Sequence, residues 1–313
     1  MVLVTDGAQR GQELEVPLPN GPGAPEIAEG DHVVMIKSIS PDGEAYAVID
    51  HQRSTELWVL AAAFALAVAA FGRWRGVAAL AGLAVTFALL VFFVVPAILA
   101  GEPPLLVAIV GSAAIMLTVL YVTHGRDLAT TVAVLGTLAS LTLTGLLSWV
   151  AVSALHLTGF TDDLSTSLGL THSVNREGLL IAGIVIGSLG VLDDVTVTQS
   201  VTLAELARAN PMYGFGQLYR AGSRVGRSHI ASVINTIILA YAGSSLPLLI
   251  LIVANDSFGG VVTDQIIAQE IVRSAVATLG LIATVPLTTA LAALCSNSTT
   301  SAPNEGRPEF AAI

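Results

Sequence analysis

The sequence predicts an all-α polytopic membrane helical bundle of about seven transmembrane helices, preceded by a small extracytoplasmic β domain. Composition is the first reason, because 54% of the 313 residues are hydrophobic and only 12% are charged, whereas soluble domains carry roughly 25% charged residues. The second is a succession of seven apolar segments, each judged against the roughly 20 residues that span a bilayer. The third is a contrasting start, since residues 1–55 are acidic and rich in turns.

Residues 1–55 form the predicted β domain. Short runs rich in β-branched residues, such as "DHVVMIKSI" and "EAYAVID", are separated by turn material such as "SPDGEA". Such runs between Gly-, Pro- and Asp-rich stretches are typical of strands and turns. We expect a barrel-like domain that is only weakly stable alone, because it has few apolar residues to bury.

Residues 56–295 form the predicted transmembrane domain, and the polar residues 296–313 are predicted to be a disordered cytoplasmic tail. The sixth segment is interrupted by "GSSLP", where Gly243 loosens the helix and Pro247 cannot donate a backbone hydrogen bond. We therefore expect a break or hinge at that point. The seven segments are Leu57–Gly72, Val77–Ala100, Pro104–Val122, Leu128–Leu155, Leu179–Val201, Ile230–Val253 and Ile271–Leu294.

The distribution of arginine predicts the orientation of the chain in the membrane. Arg73, Arg126 and the basic stretch 208–227 follow the first, third and fifth segments, so all of them lie on one side if the segments alternate. Basic loops stay in the cytoplasm. The protein is therefore predicted to be a multi-pass plasma-membrane protein with the β domain outside and the C-terminus inside.

Charge and motif content narrow the function classes. The net charge of −10 argues against nucleic acid as a partner, because phosphate binding needs a basic surface. A single cysteine, Cys295, excludes an internal disulfide and a thiolate metal cage. No GxSxG, HExxH or Walker motif is present, so we expect no enzyme and no cofactor. The expected partners are the lipid bilayer and a small ion or solute, and an oligomer is left open.

A metal site is an alternative that the sequence leaves unknown. His156, Asp162, Asp163 and His172 share one predicted outer loop and are potential ligands, but they lack the spacing of a metal motif.

One face of the fifth segment carries small residues and an acid. At 100° per residue, Gly183, Gly187, Gly190 and Asp194 share this face, and Thr198 stays close to it. Glycines allow another helix to approach closely. We therefore expect the glycine face to pack against a neighbouring helix and Asp194 to be buried there.

Asp194 is the predicted ion or proton site, with Asp193 in a secondary role. An aspartate at the centre of a membrane helix costs about 2.5–3.5 kcal/mol on insertion scales, and two close carboxylates repel, so that one could hold a proton. Asn235 of the sixth segment is the expected hydrogen-bond donor to Asp194. The alternative is that the helix ends near Leu192 and both acids lie at the inner membrane interface.

Three long motifs carry a family resemblance. The stretches "GSLGVLDDVTVTQS", "RAGSRVGRSHIASVINTIILAYAGSSLPLL" and "QEIVRSAVATLGLIATVPLTT" resemble the YibE/F family of bacterial multipass membrane proteins. The resemblance extends from about Val2 to Leu294. It implies a membrane location and a permease-like role, and it implies no particular substrate. The positions that match by motif are Gly187, Gly190, Asp194, Arg224, Gly226, Arg227, Asn235, Tyr241, Gly243, Ser245 and Pro247.

The chain departs from the family pattern at two places. Ser228 in "GRSH" stands where similar members often have an acid, so an essential acid there would leave this chain impaired. Met1 opens directly on "VLVTDG", whereas members usually begin with a membrane helix, so we expect such a helix to be encoded upstream.

Transport of a small ion or solute through an intramembrane aspartate is the leading functional expectation. The alternative is a non-transporting membrane scaffold whose outer β domain binds a partner. Transport predicts a water-accessible cavity that reaches Asp194, whereas a scaffold predicts a dry, tightly packed bundle and an exposed apolar patch on the β domain.

Overall fold

The structure is a computed structural model that describes residues 1–7, 9–21, 24–40, 43–159, 175–254 and 265–300. The chain divides into two compact units, Met1–Val77 and Ala78–Ile313. The strands and the beginning of the first helix belong to the first unit, and the remaining helices belong to the second.

Four strands precede the first helix. Strand β1 (Val2–Leu3) pairs antiparallel with β2 (Glu13–Leu14), and β3 (Val33–Ser40) pairs antiparallel with β4 (Gly43–His51). These described strands form two separate two-stranded sheets, so they close no barrel. The intervening stretch 15–32 contains prolines and glycines and no strand among its described residues. A small N-terminal β region is confirmed, and its location outside the membrane remains a prediction.

The rest of the described chain is mostly helical. Five helical stretches are long and apolar enough to cross a membrane, so the membrane-compatible helical architecture is confirmed and the count of seven remains a prediction. These stretches are Ser54–Leu99, Pro104–His124, Leu128–Ala154, Arg176–Ala209 and Gln265–Ser296. The individual elements are α1 (Ser54–Leu89), a π-helical turn (Leu90–Val94), α2 (Val95–Leu99), α3 (Pro104–His124), α4 (Leu128–Ala154), α5 (Arg176–Ala209), α6 (Phe215–Ser244), α7 (Leu246–Ala254) and α8 (Gln265–Thr300).

Helix α1 is broken at Arg73, between the first two predicted segments. Arg73 has a φ of 51° and a ψ of −130°, which is not helical. A Cβ atom added to Gly76 would collide with the carbonyl oxygen of Val68 and would lie 3.4 Å from the Cα of Ala69. Residues eight apart in a straight helix are separated by about 12 Å along its axis, so the backbone must fold back at Arg73. Gly76 is needed there because backbone atoms cannot move aside for a side chain.

The predicted sixth segment is divided between two helices. Helix α6 ends at Ser244 and α7 begins at Leu246, with Ser245 between them. The interruption therefore lies where Gly243 and Pro247 predict a break, and its use as a hinge remains a prediction.

The core of the second unit lies where α3, α4, α5 and α8 pack together, with α6 against α5 and α8. Large side chains such as Leu120, Leu141, Leu192 and Leu281 are almost completely buried there. Helix α8 continues to Thr300, so the first residues of the predicted tail are helical, and residues 301–313 lie outside the described part of the chain.

Candidate functional site

A seam of buried polar side chains runs through the bundle. The hydroxyl groups of Thr137 on α4 and Thr196 on α5 lie 2.6 Å apart. The side-chain amide of Gln199 donates to the hydroxyl of Thr289 (2.7 Å) and to the carbonyl of Gly222 (2.9 Å). Small polar side chains commonly hold membrane helices together. Other buried polar residues of the bundle are Ser140, Thr144, Ser148, Ser188, Ser200, Thr284 and Thr288.

Glycines allow these helices to approach closely. A Cβ atom added to Gly136 on α4 would lie 2.6 Å from the hydroxyl of Thr288 on α8. A Cβ atom added to Gly226 on α6 would lie 2.5 Å from a methyl group of Val285 and 2.9 Å from the side-chain oxygen of Gln199. These spacings are shorter than ordinary van der Waals contacts, so glycine determines how closely α6 approaches α5 and α8.

The glycines of α5 lie on a different side. Gly183, Gly187 and Gly190 are exposed, and the Cβ positions of Gly183 and Gly190 have no atom of the described residues within 4 Å. Only the hydroxyl of Tyr241 approaches the Cβ position of Gly187, at 3.4 Å. This corrects the prediction that the three glycines form the packing face of α5 within the chain. The spacing of the glycines places them on one face but does not specify a partner, and α6 approaches α5 at Gln199 instead.

The two adjacent acids point in different directions. Asp194 is exposed, whereas Asp193 is half-buried and its Oδ1 atom is buried with no hydrogen-bond partner among the described residues. The prediction that Asp194 is the buried acid is therefore wrong. The physical reason is the phase of the helix: the buried face of α5 contains Leu192 and Thr196, and Asp193 lies at its edge, while Asp194 continues the exposed glycine face.

The edge that contains Asp193 faces α3. Ile186, two helical turns earlier on the same edge, packs against the hydrophobic cluster of Val94 and Val107. The backbone carbonyl of Asp193 accepts a hydrogen bond from the hydroxyl of Thr196 at 2.9 Å. The backbone of Asp193 is thus tied to the buried polar seam, while its buried Oδ1 atom has no hydrogen-bond partner among the described residues.

The remaining predicted site residues do not converge on the acids. Thr198 and Asn235 are exposed, and no hydrogen bond joins Asn235 to Asp194 in the described structure. Arg224 and Arg227 are also exposed on α6. The structure therefore brings Asp193 close to the core, and it does not assemble Asp194, Asn235 and Thr198 into one buried site.

Two cavities lie at opposite ends of α4, and neither Asp193 nor Asp194 lines them. One, of about 600 Å3, lies at the C-terminal end of α4, and the other, of about 370 Å3, lies at its N-terminal end. The first is lined by Val152, Ser153, His156, Leu157, Thr158, Asn175, Arg176 and Glu177. The second is lined by Asp127, Leu128, Ala129, Val132, Ser200, Ala204, Ala207, Arg208, Pro211, Ala292, Cys295 and Ser296.

The metal alternative gains no support from the part of the chain that is described. His156 borders the larger cavity, while Asp162, Asp163 and His172 lie outside the described residues. Within the described ranges, no group of three or more His, Cys, Asp or Glu side chains could hold a metal ion.

Sequence reasoning missed the buried polar seam. Leu192, Thr196, Gln199 and Leu203 are spaced four, three and four residues apart, which is the period of one helical face. The "GSRVG" stretch that ends at Gly226 also has the spacing of a close helix contact. Both patterns are compatible with the observed packing, but the glycines of α5 have an equally regular spacing, so spacing alone does not select the packed face of α5.

The comparison with known proteins identifies a family. The sequence profile of the YibE/F-like protein family matches residues 60–298. No curated protein and no solved structure shows a match to the chain. The matched region begins within α1 and ends within α8, so it contains the polar seam and both acids and excludes the strands.

Proposed function

Since the chain belongs to the YibE/F-like protein family, we propose that it is a permease-like membrane protein that moves a proton or another small cation. The acid that we assign to this role is Asp193, with Asp194 secondary. Asn235 and Thr198, exposed in this structure, are left with at most an indirect role.

The observation that carries the proposal is the half-buried carboxylate of Asp193. It lies in a helix that is long and apolar enough to cross a membrane, and one of its oxygens is buried without a hydrogen-bond donor among the described residues. Buried carboxylates normally have donors or counterions. Ionisable side chains within membrane helices are rare and commonly mark ion or proton pathways. A proton or cation that visits Asp193 would supply the missing partner.

The neighbouring seam supports this assignment by contrast. The side chains of Thr137, Thr196 and Gln199 all have hydrogen-bond partners, so their polarity is accounted for by helix packing. Asp193 differs from these three residues because the buried oxygen of its side chain has no hydrogen-bond partner among the described residues. A group that costs stability and holds no helices together is a better candidate for function than for structure.

A membrane scaffold is the second candidate, and one feature of the first unit favours it. Ile36 and Ile49 of the β3–β4 hairpin are each 51% exposed. Ile36 is paired with Ala47, and Ile49 lies at the irregularity opposite Val34 and Met35, where it has no partner in the register. An exposed apolar pair of this kind suits a protein partner. The tight packing of the bundle and the distance of both cavities from the acids also agree with this candidate.

Reconstitution of the full chain separates the two candidates. Proteoliposomes that contain a pH-sensitive dye are given a potential, negative inside, and proton entry is followed with and without alkali or alkaline-earth cations outside. We expect protons, or at least one of the tested cations, to enter the proteoliposomes faster than they enter protein-free liposomes. If protons and every tested cation entered proteoliposomes no faster than protein-free liposomes, transport would be contradicted and the scaffold would be favoured.

The proposed orientation places the strands outside the plasma membrane and the end of α8 in the cytoplasm. It is supported by Arg73, Arg126 and the basic stretch 208–227, which fall on one side of alternating spans. A topology reporter fused after Arg126 should report the cytoplasm, and one inserted in residues 161–177 should report the outside. A reversed signal at either position would refute this orientation.

A further inference from the structure

Three arginines lie on one face of α6. Arg220, Arg224 and Arg227 are spaced four and three residues apart, so they fall within about 60° of one another around the helix. All three are exposed, and none forms an ion pair with an acid in the described parts of the chain. Arg208 behaves differently, because it pairs with Glu205 at 2.6 Å.

The opposite face of α6 is packed into the bundle. Leu218, Gly222 and Gly226 are buried. A Cβ atom added to Gly226 would lie too close to Val285 and Gln199, as described above. The arginine face of α6, which comprises Arg220, Arg224 and Arg227, therefore points away from α5 and α8.

The guanidinium groups are held in a definite direction. The Nε atom of Arg220 donates to the carbonyl of Gly216 at 3.0 Å, and the Nε atom of Arg227 donates to the carbonyl of Ser223 at 3.2 Å. These bonds use the donor closest to the helix and leave the terminal nitrogens as a planar fork. Such a fork matches the spacing of phosphate oxygens and can donate two parallel hydrogen bonds.

The position of the arginine face along α6 fits the headgroup layer of a membrane. Arg227 precedes Ile230, where the apolar part of the helix begins, by three residues or about 4.5 Å of helix axis. The polar headgroups of a bilayer lie directly next to its hydrocarbon core. Helix α6 is not one of the five helical stretches of the described chain that are long and apolar enough to cross a membrane, so this placement rests on the predicted sixth segment, which begins at Ile230. Basic clusters beside a membrane segment or on an amphipathic helix are typical of sites for anionic lipids.

We propose that the arginine face of α6 binds the phosphate groups of anionic phospholipids. Charge complementarity supports this occupant, because the face carries three cations without acidic partners on a chain whose net charge is −10. Its place at the start of an apolar stretch favours a lipid over a soluble acidic partner, since only a lipid is held at that depth. This binding is independent of what the protein transports.

The test compares lipid binding by the full chain and by a triple variant. Wild-type protein and R220Q/R224Q/R227Q, in neutral detergent, are titrated with phosphatidylglycerol or phosphatidylcholine, and bound lipid is counted by native mass spectrometry. Wild type should prefer phosphatidylglycerol. Because one cation near an anionic surface strengthens binding roughly fivefold, the triple variant should bind phosphatidylglycerol at least about tenfold more weakly. The matched control R208Q removes an arginine that already has an acidic partner, and it should bind like wild type.

Further arms keep the result decisive. R220K/R224K/R227K retains the charge but loses the planar fork, so it should keep a preference for phosphatidylglycerol that is weaker than that of wild type. This variant also covers the case in which the glutamine variant does not fold. Raising the salt concentration should weaken the preference. The proposal would be overturned if the glutamine and wild-type proteins bound phosphatidylglycerol equally, or if R208Q lost binding to the same extent. It would also fail if inorganic phosphate displaced the lipid at comparable concentration, because the face would then be a site for free phosphate.

Discussion

Replacing Gly226 with leucine should leave little folded protein, because α6 would lose a close contact with the bundle. The first carbon of any side chain at this position would lie 2.5 Å from Val285 and 2.9 Å from Gln199. Gln199 is held by hydrogen bonds to Gly222 and Thr289, so it cannot turn away without breaking them. The remaining atoms of leucine would need still more space, and α6 would be displaced.

Alanine at the same position allows the effect to be measured. Gly226→Ala should lower the free energy of unfolding by about 1–3 kcal/mol, which is the usual cost of overfilling a packed core. Gly183 is the matched control, because it is also a helical glycine and its Cβ position has no atom within 4 Å. Gly183→Ala should be neutral or more stable by up to about 1 kcal/mol, because alanine favours helix.

The alanine pair and the leucine pair of variants at Gly226 and Gly183 would be compared by thermal unfolding in detergent, with size-exclusion chromatography as the readout of folded protein. Gly226→Leu should be lost or aggregated, whereas Gly183→Leu should elute and unfold like wild type. If the two leucine variants unfolded at the same temperature, the packing face of α5 and α6 would be incorrectly assigned.

Asp193→Asn should reduce transport by the reconstituted protein to the level of protein-free liposomes. The substitution keeps the size of the side chain and removes the carboxylate that a proton or cation would visit. Because the buried oxygen of Asp193 has no hydrogen-bond partner within the part of the chain that the structure describes, we expect the unfolding temperature to remain close to that of wild type. Loss of flux together with unchanged stability would separate a functional acid from a structural one.

Asp194→Asn is the matched control, since it makes the same change one residue away on the exposed face. It should retain most of the flux. If Asp194→Asn were inactive and Asp193→Asn active, the function would return to Asp194. If both variants transported normally, an intramembrane acid would have no part in the mechanism.

The positions of the helices could be predicted from the sequence because long apolar segments have few alternatives in a membrane. The break near Gly243 and Pro247 could be predicted for a similar reason, since backbone chemistry limits a helix there. The sequence also predicted that Asp193 and Asp194 point in different directions, because neighbours in a helix differ by about 100°.

The direction of each helix face could not be predicted in the same way. A row of glycines at Gly183, Gly187 and Gly190 has the same spacing whether it faces another helix or points outward. Only the tertiary arrangement, in which Gly226 brings α6 against Gln199, decides which side of α5 is buried. Which of the two acids is the more buried depends on which side of α5 packs against the bundle.

The contact between Thr137 and Thr196 implies a choice between two proton arrangements. Each hydroxyl has one hydrogen, yet the pair makes three short contacts: with each other, from Thr137 to the carbonyl of Ala133, and from Thr196 to the carbonyl of Asp193. Two hydrogens can satisfy the mutual contact and only one of the carbonyls at any moment. Rotation of the two hydroxyls, with no movement of heavy atoms, therefore switches the Thr196 hydroxyl between the Asp193 carbonyl and Thr137, and the residual orientational entropy of this pair would disappear with a valine at either position.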